Sequence, residues 1–440
     1  MTSSLNSMNL RGVSLLRRVV CPHCWNRFAP EDILWVSDHV DLMGDAKLGP
    51  DHQSRFLPSR FTTGGDAIDP MGRVCKKLAC PDCHLQIARG LLESESIFFS
   101  IIGVPSSGKT FFLTSATWKL REILTREFGV GFADADTSAN RPLNENEQSL
   151  FHHPQPNRVA ILGGLIRKTE LQGELYDSVS YGQHPVIYPK PYLFSMRTLE
   201  RHPANQSGRS ISRMICLYDN AGEHWKPGAD SSLSPVTRHL AISQAILYVF
   251  DPTQDARFRR AAVNAGHSIT SDGVAQVERQ ETILNEASNR IRIHASMKHD
   301  SKIDRPLIVV LTKFDSWSRV LGYYPAGEPW LTTSKSQVAG LNIEEIERIS
   351  NGLKQLLLRY CPEVVSAAES LSEKVIYIPV SALGGEIEID PKTGKNGIRP
   401  ASINPFWVTV PFLYAIQSII SGMIPRLTRK SKKAPTESMI

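Results

Sequence analysis

The stretch from Ile97 to Thr110, IFFSIIGVPSSGKT, decides how the chain is read. Ile97 to Ile102 is an apolar run of strand length and predicts a short, fully buried strand. Gly103 to Thr110 then fits G-x-x-x-x-G-K-[ST] in full, between that strand and a helical pattern over Lys109 to Phe128. The pattern is carried by Phe112, Ala116, Leu120, Ile123 and Leu124. Gly103, Val104, Pro105, Ser106, Ser107 and Gly108 supply a backbone able to wrap a phosphate chain. A helix N-terminus adds partial positive charge, and Lys109 a full one for the β and γ oxygens. Thr110 offers a hydroxyl to Mg²⁺. The stretch is a candidate nucleotide site.

Further apolar runs follow at Met214–Tyr218, Ala245–Phe250, Leu307–Leu311 and Val375–Val380, with helical patterns at Asp272–Met297 and Asn342–Tyr360. Continuous apolar strands alternating with helices predict an α/β domain with a mostly parallel sheet and helices on both faces. Ala133 to Asn157 is polar and rich in Asn, Asp and Pro, and reads as a surface loop.

The residues after these strands suggest which nucleotide is bound. Asp219 opens Asp-Asn-Ala-Gly, where the carboxylate can hold Mg²⁺ and the Gly222 N–H can approach a γ-phosphate. Thr312-Lys313-Phe314-Asp315 follows the third run. The Asp315 carboxylate can accept from guanine N1–H and the exocyclic amine. Adenine has no donor at either place and would leave the carboxylate unpaired. Lys313 can lie along base and ribose. Ser381 and Ala382 follow the last run, placed to meet the base from its other side.

With GVPSSGKT, DNAG, TKFD and SA in this order, the chain resembles P-loop GTPases of the translation-factor and Ras-like class over about Ile97 to Ile424. The resemblance implies a P-loop GTPase fold, GTP and GDP as ligands, Mg²⁺ held through Thr110 and Asp219, and hydrolysis by positioned water. Thr312 stands where the commonest family pattern has asparagine. Glu223 stands where Ras-like members carry a water-orienting glutamine, which implies slow intrinsic hydrolysis. His224 beside it is a second water-handling candidate. A switch threonine that closes on Mg²⁺ falls at Thr169, with Thr137 as the alternative. The extra length between Lys109 and Lys313, with DNAGE and the N-terminal cysteine pairs, further resembles the bacterial double-GTPase family of conflict systems. That family implies GTPase-associated partner proteins or effectors, a homodimer or hetero-oligomer, and a role in defence.

Five of the seven cysteines lie in the first 83 residues. CPHC (Cys21, Cys24) and CPDC (Cys80, Cys83) present four thiolates on two tight turns, a donor set that suits tetrahedral Zn²⁺. The pairs are about 55 residues apart, against about 17 in a compact ribbon. The added loop entropy is only about 1 kcal/mol, against roughly 10–16 kcal/mol from a structural zinc. A zinc-ribbon-like module with an insertion is expected, with Phe28 and Leu85 in its core and apparent turns at Leu48-Gly49-Pro50 and Thr62 to Pro70. Cys75, His23 and His84 read as spare groups outside the ligand set. A redox dithiol at CPHC is the rival, but it leaves the matching second pair without a purpose.

The 440 residues are 41 % hydrophobic and 21 % charged with a net charge of +6, which excludes wholesale disorder and fibre. Arg11, Arg17 and Arg18 near the start, and Arg426, Arg429, Lys430, Lys432 and Lys433 at the end, hold the positive excess. The body is near neutral, so nucleic acid or membrane contact is expected at most from the tails. Pro405 to Pro425 lacks charge but is broken by Pro411, Gln417 and Gly422, and reads as a helix packed on the core. A secretory apolar segment is not seen at the start, and a cytoplasmic location is expected. The domains expected are a basic tail (1–16), a zinc-ribbon-like module (17–92), an enlarged P-loop GTPase domain (93–425) and a second basic tail (426–440). The leading function is a Mg²⁺-dependent GTPase switch. Rivals are a GTP-occupancy-sensing adaptor with little hydrolysis, and an ATPase using Asp251 as its Walker-B acid.

Overall fold

A computed structural model describes residues 15–166, 176–219, 237–268, 279–298, 300–325, 327–332, 337–390 and 393–427. The chain divides into two compact units, Met1–Ser96 with Ser178–Pro185, and Ile97–Asp177 with Val186–Ile440.

In the first unit a hairpin pairs Val19–Val20 with Arg27–Phe28. A four-stranded sheet runs in the order Gln86–Ile87, Leu78–Ala79, Leu34–Val36, Arg55–Phe56. Phe28 and Leu85 are buried, with Trp35, Leu78 and Ile87. The insertion is organised by two acids. Buried Asp69 accepts from the amides of Asp38, His39, Met71 and Arg73 at 2.9–3.2 Å. Asp45 accepts from the amides of Lys47 and Leu48. That side-chain-to-backbone bonding draws the turn to Lys47–Leu48, so Gly49 and Pro50 open the strand Gly49–Gln53 instead of forming the turn.

The second unit is α/β. Its elements are β1 (Ser96–Ile102), α1 (Lys109–Arg126), β2 (Val130–Asp134), α2 (Arg141–Phe151), β3 (Tyr192–Thr198), β4 (Ser212–Asp219), β5 (Ala245–Phe250), α3 (Ala256–Asn264), α4 (Gln280–His294), β6 (Ile303–Leu311), α5 (Ile343–Tyr360), α6 (Pro362–Leu371), β7 (Ser372–Pro379) and α7 (Val410–Ile419). Seven strands form one sheet in the order β2-β3-β4-β1-β5-β6-β7. β1, β5, β6 and β7 pair in parallel, whereas β3 pairs antiparallel with both β2 and β4. The sheet is therefore mixed rather than mostly parallel. β5 and the second half of β6 are buried at every residue, as apolar runs covered on both faces must be. Phe412 of α7 meets Phe99 of β1 and stacks on Phe112 of α1, which seats the C-terminal helix on the core. No described helix is long and apolar enough to cross a membrane.

The polar stretch Ala133–Asn157 is not a loop. It carries the end of β2 and all of α2, which begins at a proline-containing first turn and buries Leu143 and Leu150. Two of its polar residues, Asn146 and Glu147, are buried beside them. Buried Glu147 accepts from the Thr117 hydroxyl at 2.6 Å and from Arg121, and Arg121 also reaches Asp134 and Asn144. Composition alone hid this helix because its apolar residues are few.

Burial pushes the Glu147 carboxyl above its ordinary range, against the lowering effects of Thr117 and Arg121. A raised folded-state value means a contribution fully present below the ordinary carboxyl range and lost as pH rises through the folded-state value. Glu147→Gln, which can still accept from Thr117, is expected to lose less stability than the parent between pH 5 and pH 8. Thermal melts at the two pH values check this, and parallel curves for parent and variant would refute it.

Candidate nucleotide and metal sites

Parallel pairing brings the ends of β1, β5, β6 and β7 to one edge of the sheet, with Ile102 opposite Tyr248 and Phe250 opposite Leu311, itself opposite Pro379. The residues that follow these strands therefore meet. Ligands in open α/β sheets bind at such carboxyl ends.

The Gly103–Thr110 turn needs its glycines. A Cβ on Gly103 would lie 2.5 Å from the Val249 carbonyl oxygen. Gly108 adopts φ +90° as it caps α1. No side chain caps that end, so the first amides of an 18-residue helix are left without a capping side chain, and the helix dipole favours negative charge there. Lys109 is buried, and its ammonium donates to the Gly103 and Val104 carbonyls at 2.8 and 3.0 Å. Ser107 bonds back to Val104 at 2.8 Å, Pro105 and Ser106 are exposed, and Thr110 is half-buried.

Three of the sequence segments are tied directly to one another. The Thr312 hydroxyl donates to the Ser107 carbonyl at 2.7 Å and lies 3.2 Å from that of Phe250. Threonine thereby ties the end of β6 to the Gly103–Thr110 turn. Its own carbonyl accepts from the buried Trp317 indole at 2.8 Å. Ser381 donates to the exposed Asp315 carboxylate and accepts from the Gly384 amide. Ser115 on α1 donates to the Ala382 carbonyl at 2.8 Å. Lys313 adopts φ +56° and pairs with Asp251. Asp219 sits buried at the end of β4, the strand beside β1, and its charge adds to the burial that raises the Tyr192 phenol. Thr169, Gly222, Glu223 and His224 lie outside the described residues. Thr137 is exposed in a turn that Asp136 fixes by accepting from Ser138 and Ala139.

In the first unit Cys21, Cys24, Cys80 and Cys83 are buried with their sulfurs all within 4.8 Å of one another. Cys21 to Cys83 is 3.7 Å and Cys24 to Cys80 is 3.8 Å. A tetrahedron of sulfurs at the Zn–S distance has edges of about 3.8 Å, so the cluster fits that ion. The two turns are built alike. Cys21 N bonds Asn26 O, as Cys80 N bonds Leu85 O; Trp25 N bonds Cys21 O, as His84 N bonds Cys80 O. Trp25 and His84 both take positive φ, and the His23 and Asp82 amides donate to the sulfurs of Cys21 and Cys80. The spare groups are engaged elsewhere: His84 with Asp45 at 2.8 Å, His23 Nε2 with the Gln86 carbonyl at 3.0 Å, and Cys75 with Asp69 at 3.8 Å. Burial raises the Cys21 thiol well above its ordinary value, a cost that a bound cation would remove.

No protein-family model and no curated protein matches the sequence. Among solved structures the chain is similar to translation elongation factor SelB from Methanococcus maripaludis in complex with the GTP analogue GppNHp, at 14 % identity and a TM-score of 0.20, over 66 % of this chain and 30 % of that one. It is also similar to Sup35 complexed with GDP and with GMPPNP, each at 12 % identity and a TM-score of 0.21, over 66 % of this chain and 38 % of the other. The chain thus spans about a third of the length of these structures.

Sequence reasoning missed Ser115 and Trp317, which bond the carbonyls of Ala382 and Thr312, and Gln280, which bonds the backbone of Asp251. Nothing in their spacing marks them, because each reaches its partner only through the fold.

Protein purified without chelator is expected to carry about one equivalent of zinc, and Cys80→Ser to lower this below half; unchanged metal content in the variant would count against the cluster. Thr312→Val leaves the buried Ser107 carbonyl without its donor. It should cost about 1–3 kcal/mol of stability, read as a lower urea midpoint.

Proposed function

We propose that the chain binds GTP with Mg²⁺ and cleaves its β–γ phosphoanhydride, acting as a molecular switch. The observation that carries this reading is the coupling of a base-recognition carboxylate to a phosphate loop. Asp315 is oriented by Ser381, and the same β6 segment is bonded through Thr312 to the Ser107 carbonyl. Such a site reads both ends of one nucleotide. Asp315 accepts from the two donors of a guanine edge, an arrangement that penalises adenine by leaving a carboxylate unpaired.

The remaining roles follow from chemistry. The α1 amides and Lys109 would bind the β and γ oxygens and stabilise the charge that grows on the leaving diphosphate. The ammonium of Lys109 would turn from the Gly103 and Val104 carbonyls toward phosphate. Thr110 and Asp219 are the residues that would hold Mg²⁺, which supplies charge neutralisation between the β and γ phosphates. Thr169, Gly222 and Glu223 are proposed to respond to the γ-phosphate and the attacking water. A glutamate in place of glutamine there gives slow turnover without a partner. The ATPase alternative is disfavoured, because Thr253 and Lys313 engage the Asp251 carboxylate.

We further propose that the zinc module docks a protein partner or effector, given the near-neutral body. A cytoplasmic setting and a role in a bacterial conflict system with GTPase-associated partners, as a homodimer or hetero-oligomer, belong to the same reading. A GTP-occupancy sensor is the second reading, favoured by Glu223, and it predicts tight GTP binding with no phosphate release under any condition.

Asp315→Asn is expected to lose guanine nucleotide affinity by on the order of 100-fold or more and to gain affinity for xanthine nucleotides, whose carbonyl replaces the guanine amine. Titration with GDP and XDP checks it. Phosphate release from GTP, measured with and without cell extract, separates the switch from the sensor. Unaltered GDP binding in the variant would refute the base assignment.

A further inference from the structure

Asp251 follows β5 as Gly103 follows β1 and Thr312 follows β6, yet the reading above gives it no part. Its carboxylate is completely buried, and the Lys313 ammonium lies 2.6 Å from Oδ2 on a side chain that is itself 43 % exposed. Oδ1 accepts from the Thr253 amide at 2.9 Å and hydroxyl at 2.7 Å. The backbone is clamped as well: Asp251 N donates to Gln280 Oε1 at 3.1 Å, and Gln280 Nε2 donates to Asp251 O at 2.8 Å. Gln280 is buried in turn, and its carbonyl accepts from Tyr248 at 2.8 Å. Besides Lys313, Asp251 is bonded by Thr253 and Gln254 in the turn that follows it and by Gln280 at the start of α4, so the carboxylate is a fixed anchor.

Lys313 is where such an anchor matters. Its φ +56° and ψ +37° lie in the left-handed region, which is unfavourable for a residue that carries a side chain. A lysine stem also carries rotamer entropy that ordering on a ligand would remove. Tethering the ammonium to a buried carboxylate restricts the stem before any ligand arrives, which is preorganisation. Two residues along, Asp315 is fixed by Ser381, so both base-side groups are restrained from outside the ligand.

We propose that Asp251 is a positioning residue for nucleoside recognition, holding Lys313 so that its stem is already arranged when a guanine nucleotide enters. This rests on the guanine-nucleotide reading given above. Asp251 acts on the base and ribose end alone, so its loss spares the phosphate end.

The test uses the full chain, GDP, and inorganic triphosphate as a ligand without base or ribose. Asp251→Asn is expected to weaken GDP binding about 10-fold while inorganic triphosphate stays within about 2-fold. Lys313→Met should weaken GDP at least as much, and the double variant should be no weaker than Lys313→Met alone, because one residue acts through the other. Equal losses for both ligands in Asp251→Asn, or two losses that multiply in the double variant, would overturn the proposal. Should Asp251→Asn not fold, Lys313→Arg and Lys313→Met carry the comparison. Arginine keeps the pair and should hold GDP several-fold tighter than methionine, and equal affinities would overturn the proposal. A parent chain that binds triphosphate but shows no added affinity for GDP would overturn the guanine-nucleotide reading instead.

Discussion

Parallel pairing among β1, β5, β6 and β7 is the constraint on which the rest of the second unit depends. Hydrogen bonds between these strands set Phe250 against Leu311 and Leu311 against Pro379, and so decide where each strand stops relative to its neighbours. A slip of one residue would turn buried side chains to the opposite face. It would also carry the Thr312 hydroxyl away from the Ser107 carbonyl, and Asp315 away from Ser381. The side-chain bonds at the edge are short and individually modest. They can be specific only because the ladders behind them have removed the freedom to miss.

Much of this was legible in the chain as a string of residues. Buried strands announce themselves by unbroken apolar runs, so β1, β5 and the ends of β6 and β7 were read nearly at their observed limits. GVPSSGKT was readable because glycine is required where a Cβ would strike the Val249 carbonyl, and few sequences place lysine and threonine directly after such a turn. Antiparallel β2 and β3 were not read: β2 is mostly half-buried, and the apolar run that opens β3 is cut short by Ser195 and Arg197. α2 was misread as loop because half of its buried face is polar, and satisfied polar burial through Glu147 and Arg121 leaves no hydrophobic trace. Asp251 illustrates a different limit. Its position after a strand was visible, but a sequence does not say whether a carboxylate faces a metal or a lysine.

The cysteine module repeats one local solution twice. Each Cys-Pro-x-Cys turn closes with the same backbone bonds and the same left-handed residue after its second cysteine. Sequence spacing was enough to pair the turns, because the two halves match. The insertion between them could not be read in the same way. Its order comes from Asp45 closing a local turn and Asp69 gathering amides from as far away as Asp38 and His39, so its organising residues are two acids in a stretch that looks merely polar.

The hairpin tip Ser178–Pro185 belongs to the cysteine-bearing unit although its flanks belong to the other. There the Ser180 amide donates to the Lys47 carbonyl at 2.7 Å, and the Lys47 ammonium sits 4.8 Å from the Tyr181 ring centre. The polypeptide consequently crosses between the two units three times rather than once, after Ser96, after Asp177 and after Pro185. A front module attached by a single linker can be shed, exchanged or duplicated as a cassette. A unit made of two separate segments of chain cannot be removed whole by a cut at one place.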